Sequence, residues 1–445
     1  MAKNNDKRAE RMARSNRNVN RAITVLMAGV IAEFYLLMVN NYYVKGGVGQ
    51  VLTMMTVLQV IDYIGCALFG AGLVVWLMRK KWTRFAPAAP WLLCIGFFFA
   101  VSSILMLKVY PQGTTMMCVI VPVVMLIGIV FLLNYSVGHL NFTYGGILDQ
   151  SLAAGNRQVL EIAFVAAFFG FGVKAAIYPF YRWLPDASVA PTPVSALLHA
   201  VAVVKAGAFA VMRLIYFGFG ADFLRGTWAQ TVVMAAAIVT IVYGSARALR
   251  TPHLKRRLAF STVSNLSYIL FAFTIMTPAG LLGGLTHMVY HAVVKITMFC
   301  CAGAILHKSG REYVYELENF GRVMPVVFAA FTVSSFALIG LPPLGGFAGK
   351  WMIATAAVAS QNKLAYVGIG ALILSTLLTT LYLMTVVVRA YFPVGKLDAE
   401  ALAKVHDPDK TMTVPLVLLA SMGVVLALCS NLVIGFLTQV SQGLL

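Results

Sequence analysis

The feature that most constrains this chain is a series of apolar runs, each about as long as a bilayer is thick. A helix needs roughly 20 apolar residues to cross the hydrocarbon core. Runs near that length occur at 22–44, 51–78, 88–107, 116–134, 158–181, 193–218, 229–247, 258–276, 281–306, 324–344, 364–392 and 412–437, with a shorter one at 347–361. In lipid only helices and closed barrels satisfy every backbone polar group. The runs are too continuous for the alternation of a barrel strand. The expectation is an all-α polytopic membrane protein of about 12–13 transmembrane helices. Of the 445 residues, 60% are hydrophobic and 11% charged. A soluble domain carries about twice that charge, so a soluble enzyme, a disordered chain and a secreted disulfide scaffold are excluded.

Basic residues outnumber acidic ones, giving a formal charge of +19. Positive loops on the cytoplasmic side account for this better than nucleic acid does. The tail carries Lys3, Lys7, Arg8, Arg11, Arg14, Arg17 and Arg21 and reads as cytoplasmic. The run after it, 22–44, is too long for a signal-peptide core of about 7–15 residues and reads as a retained helix. The basic clusters Arg247 to Arg257 and Lys308 to Arg322 agree with each other in side. Counting crossings from the tail puts both opposite to it, so either a segment between 135 and 247 does not cross or an early one is miscounted. The cysteines, Cys66, Cys94, Cys118, Cys300, Cys301 and Cys429, fall in apolar runs without CxxC or Cys/His ligand spacing. No metal or cofactor site is expected.

Two stretches read as interrupted helices. Tyr178 to Pro193 contains Pro179, Pro185, Pro191 and Pro193. Gly340 to Lys350 contains Pro342, Pro343, Gly345, Gly346 and Gly349. Irregular backbone at membrane depth survives only where protein or water covers it, and paired interruptions point to an ion site.

An ionisable group inside an apolar run is a functional candidate by default, since it costs at least about 2.5–3.5 kcal/mol to insert. The candidates here are Lys174, Lys205, Lys295 and Lys350, with His199, His287 and His291. His287, His291 and Lys295 recur at i, i+4 and i+8, on one helical face. Dehydration leaves an amine only loosely basic, which is what a proton relay requires. The bland alternative is histidines satisfied by backbone and lysines snorkelling to the headgroups. Embedded acids are fewer: Glu33, Asp62 and, near a helix end, Glu161.

From about Tyr135 the chain resembles the antiporter-like subunits shared by respiratory complex I, Mrp-type cation/proton antiporters and energy-converting hydrogenases. The matching stretches are Phe171 to Phe180 (FGVKAAIYPF), Trp183 to Ala187 (WLPDA), Ala190 to His199 (APTPVSALLH) with Lys205 and Gly207, Leu254 to Tyr268 (LKRRLAFSTVSNLSY), His291 to Lys295 (HAVVK) and Gly340 to Lys350 (GLPPLGGFAGK). The resemblance implies an inverted-repeat antiporter-like bundle with two discontinuous helices. It implies a proton relay through Lys174, Lys205, Lys295 and Lys350 with His199 and His291. His287, Glu161 and Asp186 stand as further relay or partner positions. The partners it implies are other membrane subunits, protons, Na+ in some branches, and the lipid bilayer, in the cell membrane.

The first 134 residues depart from the pattern. The run at 88–107 contains no acid, and no Trp-Glu stretch supplies the embedded glutamate that pairs with the lysine at the Lys174 position. The first repeat therefore reads as incomplete. The organisation expected is a basic tail at 1–21, atypical helices at 22–134, an antiporter-like domain at 135–437 and a tail at 438–445. The function expected is a proton-translocating subunit of a multi-subunit complex. The alternatives are a scaffold subunit without pumping, or a stand-alone ion or solute transporter.

Overall fold

The computed structural model describes residues 155–392 and 405–443, with 128–129, 132 and 144–149 ahead of them. All belong to one compact unit, Ile127–Leu445. The candidate acids Glu33 and Asp62, the runs at 22–44, 51–78 and 88–107, and most of that at 116–134 lie outside the described residues.

The long helices are α1 (Arg157–Lys174), α2 (Thr192–Ala200), α3 (Val203–Arg213), α4 (Trp228–Arg250), α5 (Leu254–Thr274), α6 (Pro278–Ser309), α7 (Pro325–Ile339), α8 (Gly345–Ala359), α9 (Lys363–Tyr391), α10 (Lys410–Leu428) and α11 (Ser430–Gly443). Their starts follow from side-chain capping. Thr227 accepts from the Gln230 amide at the head of α4, Thr277 from Gly280 at α6, and Asn362 from Leu364 at α9. Each satisfies one of the amides that a first turn leaves without an intrahelical acceptor. The head of α7 is capped from far along the chain, where the Asp407 carboxylate accepts from the Val326 and Val327 amides at 2.9 and 3.2 Å. The apolar run at 412–437 forms two helices rather than one, divided at Cys429.

The bundle buries a polar seam within an otherwise apolar interior and is apolar outside. Helix α5 lies at its centre, with Ser261, Thr262, Ser264, Asn265, Ser267 and Thr274 all buried. The outward residues of α9 and α10 include Ile373, Leu377 and Leu418, each about 60% exposed. A soluble protein would cover such an exterior with polar groups, whereas lipid is a good solvent for it. Among the described residues, five helical segments are long and apolar enough to cross a membrane: Thr192–Phe219, Trp228–Arg250, Pro278–Ser309, Lys363–Tyr391 and Lys410–Leu428. The chain is a multi-pass membrane protein.

Both expected interruptions are present, one displaced. The proline-rich stretch after α1 folds as single turns, Trp183–Asp186 and Ala187–Val189. The break within a span comes later, at Val201–Ala202 between α2 and α3. The second break separates α7 from α8, and Gly340 ends α7 at φ +90°, a conformation that favours glycine. The two basic loops come together. Leu254 N–H donates to Glu312 O and Val314 N–H to Pro252 O, at 2.8 and 2.9 Å. That contact puts both clusters on one side, as their charge requires.

Candidate functional site

Helix α6 carries His287, His291 and Lys295 on the face it turns to the interior, and all three are buried. It packs against α2, α5, α7, α8 and α10. Gly349 lets α8 close on this face: a Cβ there would stand 2.8 Å from the His287 Cα.

Lys205 reaches the track from α3. Its Nζ lies 2.7 Å from His291 Nδ1 and donates to Ala200 O at 2.5 Å. Ala200 is the last residue of α2, and the break leaves its carbonyl without the usual amide four residues on. The amine takes that place, and the negative end of the helix dipole favours a cation there. Lys350 repeats the arrangement at the other break. Its Nζ donates to Leu338 O and Ile339 O, at the end of α7, at 2.9 and 2.8 Å, and to Thr376 Oγ1 at 3.3 Å. It also stands over the Tyr268 ring, 5.5 Å from the centroid.

Polar groups of α5 fill the space between these amines. His287 Nε2 is 3.3 Å from Asn265 Oδ1, and the Asn265 amide donates to Ser261 O at 2.8 Å. Lys295, wholly buried, donates to the Ser261 hydroxyl and to Leu258 O. The His287 ring lies 6.1 Å from that of His291 and 5.4 Å from that of Tyr268. The Tyr268 hydroxyl donates to Ser375 Oγ at 2.6 Å, and Ser375 closes a hydroxyl cluster with Ser245 and Ser264. His199 is fully buried and stacked on Phe299 with centroids 4.8 Å apart. Neither of its nitrogens has a protein partner, and the same holds for His287 Nδ1 and His291 Nε2. Buried polar atoms of this kind are where internal waters bind.

The structure therefore brings Lys205, His291, His287, Lys295 and Lys350 into one polar cluster, with His199 close by on α2. Three other candidates stand apart. Lys174 is exposed, at the last residue of α1. Glu161 is buried but paired with Arg157 at 3.0 Å, and it lies thirteen residues before Lys174, about 20 Å along the helix. Asp186 is exposed beside Arg182 at 3.7 Å. The sequence reading does not single out Asn265, Ser261, Tyr268, Ser375 or Thr376. For Ser261, Asn265 and Tyr268 the signal was the density of polar side chains in α5, which no water-facing surface there explains; Ser375 and Thr376 lie on α9. Among the described residues no group of histidine, cysteine and acidic side chains is arranged to hold a metal ion.

The chain matches the family described as "NADH:quinone oxidoreductase/Mrp antiporter, TM" over residues 113–379, beginning ahead of Tyr135. It is 31% identical over 270 residues to NADH-quinone oxidoreductase subunit L of Rickettsia bellii, covering 61% of this chain and 40% of that protein. It is 31% identical over 314 residues to a subunit of the Na(+)/H(+) antiporter of Alkalihalophilus pseudofirmus, covering 65% of this chain and 38% of that protein. The chain thus spans about two fifths of the length of these relatives. Its fold is similar to a chain of the Mrp complex from Dietzia sp., with a TM-score of 0.60 at 18% identity, covering 96% of this chain and 93% of that one.

Proposed function

This chain belongs to the NADH:quinone oxidoreductase/Mrp antiporter transmembrane family, and from that premise we propose that it is the proton-conducting membrane subunit of a larger assembly. The assembly is of the complex I or Mrp antiporter kind, as the names of its relatives indicate, or of the hydrogenase kind that the sequence resemblance implies. Redox chemistry, where coupled, belongs to other chains. Protons move along Lys205, His291, His287 and Lys350, with Lys295 and His199 beside the path and water bridging the longer gaps. The observation that carries this reading is the 2.7 Å contact between Lys205 Nζ and His291 Nδ1. It joins the broken helix to the titratable face of α6 by a single proton-transfer distance. Each imidazole can accept a proton on one nitrogen and release one from the other, and each amine can hold a proton against a helix-end carbonyl.

The exposed position of Lys174, remote from Glu161, favours a narrower form of this reading. Conduction then rests on the residue 205–350 half, and Lys174 serves the surface of α1.

The test replaces Lys205 and Lys174 by Met in the assembled membrane complex, reconstituted in proteoliposomes with a pH-sensitive dye. Lys205→Met should slow complex-dependent proton uptake by about tenfold or more, whereas Lys174→Met should leave most of it. Wild-type uptake in Lys205→Met would favour the scaffold reading over conduction.

A further inference from the structure

A second group of cations lies away from the relay, where α4 ends and α5 begins. An open cavity of about 370 Å³ there is lined by Tyr181, Arg182, Asp186, Arg247, Arg256 and Phe260, among others. Three guanidiniums face one carboxylate. That carboxylate, Asp186, lies against Arg182. Among the described residues no acid pairs with Arg247 or Arg256. Arg247 is held over the Phe260 ring, 5.3 Å from its centroid. Tyr181 packs on the same ring and shares a hydroxyl contact with Tyr243.

The cavity sits at the ends of membrane-spanning helices, on the side where the two basic loops meet. Aromatic rings and arginines at that level mark the headgroup layer. A basic pocket between helices at this depth is a site for an anionic headgroup. Arginine suits a phosphate in particular, because its planar fork donates two parallel hydrogen bonds to two oxygens.

We propose that this cavity binds the phosphodiester headgroup of an anionic phospholipid, clamped by Arg247 and Arg256 with Tyr181 and Phe260 as its apolar wall. A lipid is favoured over a soluble anion because the aromatic wall offers surface for the glycerol and upper chain, which a free phosphate would leave bare. Asp186 opposes the headgroup and weakens the site.

The test uses the full chain in its complex, stripped of lipid and supplied with phosphatidylglycerol, phosphatidylcholine or inorganic phosphate. Retained lipid is counted by native mass spectrometry. The double variant Arg247→Gln/Arg256→Gln should lower phosphatidylglycerol retention roughly thirtyfold, which is about 1 kcal/mol for each basic residue. Asp186→Asn should raise it, a gain that a misfolded protein cannot produce. Phosphatidylcholine should be retained equally by all variants. Equal phosphatidylglycerol retention in the double variant and wild type would overturn the proposal. So would protection by inorganic phosphate as strong as by the lipid, or loss of a neighbouring subunit from the double variant with its lipid unchanged.

Discussion

The contact between Lys205 and His291 invites a double-mutant cycle. The perturbations are Lys205→Met and His291→Leu, alone and together. Each removes one side of a 2.7 Å contact between buried groups, 8% and 1% exposed. A hydrogen bond to a charged group contributes about 1.5–3 kcal/mol. If that interaction lowers the barrier to transfer, its loss slows the step roughly 10- to 150-fold. Two residues serving one step act as a unit, so their effects do not multiply. The double variant should therefore run no slower than the slower single variant. The assay is the initial rate of proton uptake by the complex in proteoliposomes, with assembly checked by subunit composition. Folding should survive, because Lys205→Met also removes the cost of burying an amine, which offsets the carbonyl of Ala200 left without a donor. A double variant slowed by the product of the two single effects would show that Lys205 and His291 serve different steps, and the pairing would carry no mechanism.

Two further outcomes follow from particular contacts. Gly349→Ala would press a methyl group to 2.8 Å from the His287 Cα; over-packing of this kind costs typically about 1–3 kcal/mol, and both the melting temperature of the solubilised chain and proton uptake should fall, whereas an unchanged melting temperature would mean that α8 does not close on α6. His253, in the loop between α4 and α5, faces Glu312 at 3.3 Å and also feels Arg256 and Lys255. Burial lowers its pKa below the usual value in spite of that carboxylate. A lowered histidine pKa contributes stability that is complete above the unfolded value of about 6.5 and is lost as pH falls below it. His253→Gln should flatten the dependence of melting temperature on pH over that acidic window, and an unchanged slope would exclude His253 as its source.

Spacing and hydropathy made much of this legible. The i, i+4, i+8 pattern of His287, His291 and Lys295 alone places them on one face, because helical periodicity is local. The break at Gly340 is equally local, being written in proline and glycine. The break at Val201–Ala202 is not, since neither residue disrupts a helix. There the cause lies in tertiary structure: the Lys205 amine occupies the carbonyl that the next turn would have used. The prolines at 179–193 instead turn the chain between α1 and α2. The pairing of Lys205 with His291 joins positions 86 residues apart, a distance at which residue patterns say nothing. Lys174 shows the opposite limit. Its place in an apolar run makes it look embedded, yet it ends its helix, and the end is exposed.

The two breaks also explain how the amines are held without acids. Among the described residues no carboxylate contacts Lys205, Lys295 or Lys350. Lys205 binds the final carbonyl of α2 and Lys350 the final carbonyls of α7, so each discontinuous helix supplies roughly half a negative charge at its end. Half a charge can favour an ammonium without neutralising it. A full carboxylate at the same place would hold the ammonium in an ion pair instead. Continuous helices would have buried those carbonyls in their own hydrogen bonds. The interruptions are thus what allows lysine, rather than an acid–base pair, to occupy the centre of this bundle.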